Sequence, residues 1–371
     1  MIVIHIFSAL YQGGAENQFE QIFANDDSQD RHIVLSLKNV RTDLASRLEE
    51  KGIVVHFFDF SGFGILTGML SCQRLIRSYL KKDKNAVVQC WMYHANVVGW
   101  LTTLFIDIPI VWSIRRTAIP KGFTGLLARG SALIARMGKF RIVSNSHAGR
   151  LSHIAVGYPQ RIEVIGNGFE LTTKSNDSSL DIHKHVAWYG RFSFVHIGRY
   201  APIKGHEIML KASINFLDSL SESERKNITV TFIGRGVEEA LLPLLRESLY
   251  KSNFVFLGEI PSPRSILSDY SCYVLSSLSE GFPNSLVEAM LEGVPCIASN
   301  VGDVAEIVEN GNLLYSAGHI GELTKLLSKI YSTSHSELVK ISKKNRSLAE
   351  KKYDVANIRK EYRRLYQEAI N

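Results

Sequence analysis

Glu280 and Glu288 stand eight residues apart in the stretch Glu280-Gly281-Phe282-Pro283-Asn284-Ser285-Leu286-Val287-Glu288. An ionised carboxylate accepts hydrogen bonds at two oxygens, so it can grip a pair of hydroxyls or steady a nearby positive centre. Ser271–Ser277 ahead of this stretch is apolar and β-prone, and Ser285–Glu292 reads as a helix stopped by Gly293 and Pro295. The two glutamates therefore flank a strand-to-helix loop, the place where open α/β sheets bind ligands. At the first turn of the new helix the backbone N–H groups of Asn284, Ser285 and Leu286 are expected to be unpaired, a ready cradle for phosphate. A purely structural use competes for one residue, because Ser285-x-x-Glu288 also fits a capping box.

Cations recur at a second loop of the same kind. Phe194–Ile197 runs as a strand into Gly198-Arg199, and Lys204-Gly205 follows. A forked guanidinium and a point-like ammonium on one loop can hold two adjacent anionic groups. Gly13-Gly14 opens a helix after the first strand, where missing side chains let a backbone approach a ligand closely. This pair does not make the G-x-G-x-x-G pattern, which argues against a dinucleotide site in the first half. His94 and Asn96 follow the strand Ala86–Trp91, and Arg115 closes the strand Ile108–Ile114, so all three are placed at a sheet's carboxyl edge. Gly234 ends the strand that starts at Asn227 and leads into a glycine turn at Arg235-Gly236.

These residues need a scaffold, and the chain supplies an alternating one. Strand and helix signals interchange from Met1 onward, the rhythm of parallel sheets in α/β domains. A length of 371 residues with 45% hydrophobic content suits two such domains. The expected division is residues 1–172, a polar linker at 173–191, a second domain at 192–352, and a terminal helix at 353–371. No apolar run approaches the roughly 20 residues of a membrane span, and Met1–Phe7 reads as a first strand. The four cysteines are scattered without C-x-x-C pairing, so buried thiols and a cytoplasmic setting are expected.

The net charge is +7. Residues 1–172 carry 19 Lys and Arg against 13 Asp and Glu, so nearly all of the surplus lies in the first half. Such a surface suits an acidic partner, either anionic lipid or a phosphate-bearing substrate. Nucleic acid is not expected, because no recognition module or dense basic block occurs. The segment 121–141 mixes apolar residues with Lys121, Arg129, Arg136, Lys139 and Arg141, and would fit either a core-facing helix or peripheral contact with the inner face of a membrane.

The stretch Glu280 to Met290, continued by Gly293-Val-Pro-Cys-Ile-Ala298, closely resembles the signature of retaining GT4 glycosyltransferases, and Gly198-Arg199-x-x-x-x-Lys204-Gly205 resembles their diphosphate clamp. That resemblance implies the GT-B fold, two Rossmann-like domains with parallel sheets facing a cleft. It implies a nucleotide sugar, a UDP-sugar by family habit, as donor, and a glycan or lipid-linked acceptor, with no cofactor and no metal. Consistently, the chain has no Asp-x-Asp. By the same resemblance, Glu280 and His94 would contact the sugar, Glu288 the ribose, and Arg199 and Lys204 the leaving diphosphate. Gly13, Gly14, Gly198, Gly234, Glu259, Ile260 and the run Gly281–Leu286 would line the donor. Arg115 matches a family Ser-x-Arg landmark and, with Asn96, is expected to meet acceptor or phosphate. The implied reaction moves a hexose or N-acetylhexosamine in the biosynthesis of a bacterial surface polysaccharide such as O-antigen, capsule or lipopolysaccharide. A nucleotide-sugar epimerase of the same fold and a non-catalytic sugar-nucleotide-binding protein are the alternatives.

Overall fold

The computed structural model describes all residues except 12, 27, 63, 121, 139, 172–190 and 310–312, so the expected linker lies almost wholly outside the described residues, as do Lys121 and Lys139. The chain forms two compact units, Met1–Glu170 with Tyr353–Asn371, and Leu171–Lys352.

The first unit is built on a parallel sheet in the order β3-β2-β1-β4-β5-β6-β7. Its strands are β1 (Ile2–Phe7), β2 (Arg31–Ser36), β3 (Val54–Phe57), β4 (Ala86–Trp91), β5 (Ile110–Ile114), β6 (Arg141–Ser144) and β7 (Ile162–Val164). The central strand β1 is buried along its whole length, as a strand covered on both faces must be. Its side chains alternate between two cores. Val3 and Phe7 join helices α1 (Gly14–Phe23), α2 (Asp43–Glu50) and the C-terminal helix Val355–Ile370. Ile2, Ile4 and Ile6 face the other way, toward α3 (Gly64–Leu80), α4 (Met92–Thr103), α5 (Gly122–Met137) and α6 (His147–Ala155). The C-terminal helix thus completes the first unit's core through Ile358, Tyr362, Leu365 and Tyr366.

One polar chain runs through that core. The Trp91 Nε1–H donates to His5 Nδ1 at 3.2 Å, and an indole can only donate. His5 must then carry its proton on Nε2 and give it to His32 Nδ1 at 2.9 Å. His32 in turn donates from Nε2 to Asp26 Oδ2 at 3.2 Å. The Trp91 donor thus fixes the tautomer of His5, and the chain of hydrogen bonds ends on the Asp26 carboxylate.

The second unit repeats the plan with a sheet ordered β10-β9-β8-β11-β12-β13. Its strands are β8 (Phe192–Ile197), β9 (Ile228–Ile233), β10 (Phe254–Phe256), β11 (Cys272–Leu275), β12 (Cys296–Ser299) and β13 (Leu314–Tyr315). Two of its helices start at the carboxyl edge beside the candidate residues: α7 (His206–Asp218) and α8 (Asn284–Leu291). Neighbouring strands β8 and β11 pair in register, Cys272 with Phe194 and Tyr273 with Val195, which brings their outgoing loops side by side. The four cysteines are all buried and unpaired.

Candidate active site

The second unit gathers its charged candidates where β8 and β11 end. After β8 the chain passes Gly198 and the exposed Arg199, makes a short turn at Pro202–Lys204, and enters α7 through Gly205. Gly205 has φ +66°, and a methyl group there would stand 1.9 Å from the Ser276 carbonyl oxygen, so only glycine lets the two loops touch. The contact is then closed by hydrogen bonds. Ser276 Oγ donates to the carbonyls of Lys204 and Gly205 at 3.2 and 2.9 Å, and the Leu278 N–H donates to the Ile203 carbonyl at 2.7 Å.

This seam carries Lys204 to Glu280. Lys204 Nζ lies 2.6 Å from Glu280 Oε1, and Ser277 Oγ donates to the same oxygen at 2.6 Å. The Glu280 side chain is only 10% exposed, so its charge is offset by the ammonium and the hydroxyl rather than by bulk water. Ser299 Oγ steadies the arrangement from β12 by donating to the Ser277 carbonyl at 2.6 Å. Arg199, by contrast, has no ion pair among the described residues and stays available to an anion.

Two buried histidines brace this edge from below. His206 Nε2 donates to the Gly198 carbonyl at 2.9 Å, and His196 Nδ1 donates to the Val274 carbonyl at 2.8 Å. Burial holds both pKa values below the ordinary imidazole value, that of His196 down to about 3 with His206 contributing. Both rings are therefore neutral ties between loop and sheet. On the next strand the Gly234 N–H donates to the Gly258 carbonyl at 2.6 Å, and Glu259 lies exposed, 3.9 Å from Arg235, with Ile260 half-buried beside it.

Helix α8 does not use Glu288 in a cap. Its N-cap is Pro283, which has no side chain to cap with, and Ser285 Oγ is instead 2.7 Å from the Tyr273 hydroxyl. No capping box forms, so Glu288 does not close its own helix end. Burial raises its pKa; Arg264 opposes this and Glu292 adds to it, while Arg264 is itself paired with Glu292 at 2.8 Å. The first-turn backbone is less open than its sequence suggests. The Pro283 carbonyl already accepts the Leu286 N–H at 3.1 Å, which removes Leu286 from the set of free donors. Gly281, Phe282, Asn284 and Ser285 are half-buried at this turn, and Pro283 is buried.

The first unit places its candidates at the carboxyl edges of β1, β4 and β5. Gly13 precedes α1, Gly14 is its first residue, and Glu16 folds back so that a methyl on Gly13 would stand 2.6 Å from its carboxylate. Burial raises the Glu16 pKa, with Arg115 pulling against it. His94 sits exposed in the first turn of α4, its ring 6.4 Å from that of Phe123. The turn that delivers it passes through Met92 at φ +73°, a left-handed conformation uncommon for a side chain of this size.

Two first-unit candidates turn inward, against expectation. Asn96 is fully buried, and its amide nitrogen donates to the Cys90 and Met92 carbonyls at 3.1 and 3.2 Å. That amide spends its two N–H groups on the left-handed turn, and burial closes the side chain to an acceptor. Arg115 donates to the Tyr362 hydroxyl at 3.2 Å and to Asn167 Oδ1, and lies 5.0 Å over the Trp91 ring. Its guanidinium clamps the C-terminal helix to the sheet. Ser276, Ser277, Tyr273, His206 and Met92 escaped the sequence reading, because a serine or histidine next to a motif carries no periodic signal.

Residues 191–333 match the family model described as glycosyl transferases group 1. The capsular polysaccharide biosynthesis glycosyltransferase CapH of Staphylococcus aureus is 22% identical over 315 residues, covering 82% of this chain and 83% of that protein. CapM of the same organism, described in the same terms, is 24% identical over 78% of this chain and 76% of its own. Among solved structures, Anabaena HepE in complex with UDP superposes with a TM-score of 0.82 at 22% identity, covering 99% of this chain and 100% of that one. The HepE complex with UDP-glucose gives 0.79, also at 22% identity and with the same coverage. At these identities the superpositions speak for the fold, and the sequence relatives for the activity. With two parallel-sheet units, a group 1 match across the second and a likeness to CapH along most of its length, the chain is a glycosyltransferase of the GT-B fold that is similar to the GT4 enzymes.

Proposed function

We propose that the protein transfers a hexose or N-acetylhexosamine, with retention of anomeric configuration, from a UDP-sugar to a hydroxyl of a lipid-linked or free glycan in bacterial surface polysaccharide synthesis. The observation that carries this reading is the Lys204–Glu280 pair, one cation and one carboxylate fixed on adjoining loops, with the exposed Arg199, which has no ion pair among the described residues, close by in sequence. CapH and CapM support the polysaccharide context, and the HepE complexes support a uridine nucleotide.

Each residue then has a task. Lys204 and Arg199 stabilise the negative charge that builds on the diphosphate as its bond to the anomeric carbon breaks. Glu280, relieved of Lys204 when phosphate arrives, accepts sugar hydroxyls and supports the positive charge at the anomeric carbon. Glu288 accepts the two ribose hydroxyls, the bidentate role left to it once capping is set aside. The acceptor oxygen bonds to the anomeric carbon on the face the diphosphate leaves, and its proton passes to the departing phosphate oxygen. Glu259 and Ile260 flank the base, Gly13 and Gly14 the diphosphate. His94, on the first unit, contacts the sugar. These cations supply the neutralisation that a divalent ion gives in other transferases, so activity should survive chelation.

Mass spectrometry of the purified protein with UDP-, GDP- and ADP-sugars, with and without a lipid-linked acceptor, tests the proposal. Transfer from a UDP-sugar, undiminished by EDTA and yielding a product of unchanged anomeric configuration, supports it. Epimerised donor without transfer, or binding without turnover on any acceptor, overturns it.

A further inference from the structure

Helix α5 is amphipathic in the reverse of the usual sense. The residues it buries are small: Gly125, Ala128, Ser131, Ala132 and Ala135. Those it turns to water are large and apolar, with Phe123 74%, Leu126 67%, Leu133 65% and Met137 77% exposed. Small inward residues let the 16-residue helix lie close against its neighbours, and the apolar bulk is left outside as a stripe along it. Single exposed hydrophobic residues are ordinary, but a continuous stripe of them marks an interaction surface.

Charge narrows the choice of partner. Between Asp107 and Glu163 the chain carries nine Lys and Arg residues and no Asp or Glu. Arg129 and Arg136 are exposed on the same stripe, set between the apolar side chains. Arg141, which the sequence suggested as a lipid contact, is instead drawn to Glu163 and Glu368, each at 3.5 Å. The layer extends sideways, since α4 packs between α3 and α5, and α3 exposes Ile65, Leu66 and Leu70.

We infer that the outer face of α5 docks on an anionic lipid surface, with Phe123, Leu126, Leu133 and Met137 entering the acyl boundary and Arg129 and Arg136 meeting lipid phosphates. An interfacial helix is defined by this mixture of large apolar and cationic residues. No helix among the described residues is long and apolar enough to cross a membrane, so this contact would be a lateral one. A second copy of the chain fits less well, because a two-fold contact would set Arg129 and Arg136 against their own counterparts with no acid in the stripe to offset them. The stripe begins at Phe123 beside His94, so a lipid-borne acceptor would arrive next to a residue assigned to the sugar. The docking surface stands on the first unit's exterior and does not depend on the transfer chemistry.

Flotation of the full chain with vesicles tests it. The protein should bind an equal mixture of phosphatidylglycerol and phosphatidylcholine at least about tenfold more tightly than phosphatidylcholine alone, and salt should weaken the binding. The triple variant L126S/L133S/M137S should lose at least about tenfold in vesicle binding with an unchanged melting temperature, because these side chains are already in water. R129E/R136E should lose the preference for anionic vesicles. Absence of binding, equal binding to neutral vesicles, or a triple variant that floats like the wild type would overturn the inference. So would a lipid-free dimer that the triple variant dissociates, which would assign the stripe to a second copy.

Discussion

Lys204 and Glu280, 76 residues apart in the chain, share a 2.6 Å contact that makes them one electrostatic unit before any substrate binds. The ammonium faces a carboxylate that is only 10% exposed, and the carboxylate holds the ammonium at the loop end where the proposed diphosphate would lie. Two residues to which the proposed mechanism gives separate tasks therefore depend on each other at rest.

Lys204→Ala should reduce turnover by roughly 10²-fold or more, the usual effect of removing one transition-state electrostatic contact. Because the pair acts as a unit, Lys204→Ala combined with Glu280→Gln should lose less than the product of the two single effects. Steady-state kinetics of the two single variants and the double variant would show this. Strictly multiplicative losses would mean that the 2.6 Å contact has no energetic consequence.

Glu288→Gln should weaken donor binding while leaving stability unchanged or slightly improved, since the variant removes a buried charge and breaks no cap. The direction with pH follows from the raised pKa. The folded chain holds this proton more tightly than the unfolded chain, so ionised Glu288 opposes folding at neutral pH and that opposition fades as pH falls through its folded pKa. Donor affinity should move the opposite way and weaken on acidification, because ribose hydroxyls need the ionised acceptor. Calorimetric titration with UDP across pH, on wild type and variant, separates the two effects.

Gly302→Ala should disturb catalysis without touching substrate. Gly302 has φ +54°, and a methyl group there would come within 2.4 Å of the Glu280 carbonyl and 3.1 Å of the Gly281 carbonyl. The Glu280 loop must shift, and turnover should fall about tenfold, as misplaced catalytic groups lose rate steeply with distance. Gly52→Ala makes the comparison: it is equally left-handed at φ +82° but has open space around it. It should lose about 1 kcal/mol of stability and keep its turnover.

Acid should destabilise the protein in two steps. Burial, with His32 opposite, holds His5 well below its ordinary pKa, so the unfolded chain takes up a proton near pH 6.5 that the folded chain refuses. Stability declines from that point downward. Burial alone would raise Asp26, but hydrogen bonds from His32 and Ser28 outweigh it and hold its pKa at about 2. The stabilisation this gives is complete above the unfolded value and disappears as pH falls toward about 2. His5→Gln should melt at a lower temperature at neutral pH and show a shallower fall between pH about 8 and about 4. Melting temperatures recorded across that range would reveal an unchanged slope if His5 were not the group responsible.

Much of this was legible in the sequence, and the remainder divides cleanly by range. Strand-helix alternation, the glycines at loop entries, and the position of Lys204 and Glu280 after strands all follow from local periodicity and turn chemistry, which are written in consecutive residues. Side-chain partners are not local. Arg115 reads as an exposed cation at a sheet edge until Asn167 and Tyr362 come from elsewhere in the chain to occupy it. Ser285-x-x-Glu288 reads as a capping box until Tyr273, on the strand below, takes the serine hydroxyl. The segment 121–141 reads first as a core-facing helix, with membrane contact as its rival, and only packing shows that its alanines face inward and Leu126 and Leu133 outward. The chain by itself determined two parallel α/β units and the loops that hold the chemistry, because those depend on short-range pattern. The tertiary structure alone decided which charges are paired, which polar groups are spent on the fold and which apolar face is left open, because each of these depends on what distant residues packing brings within reach.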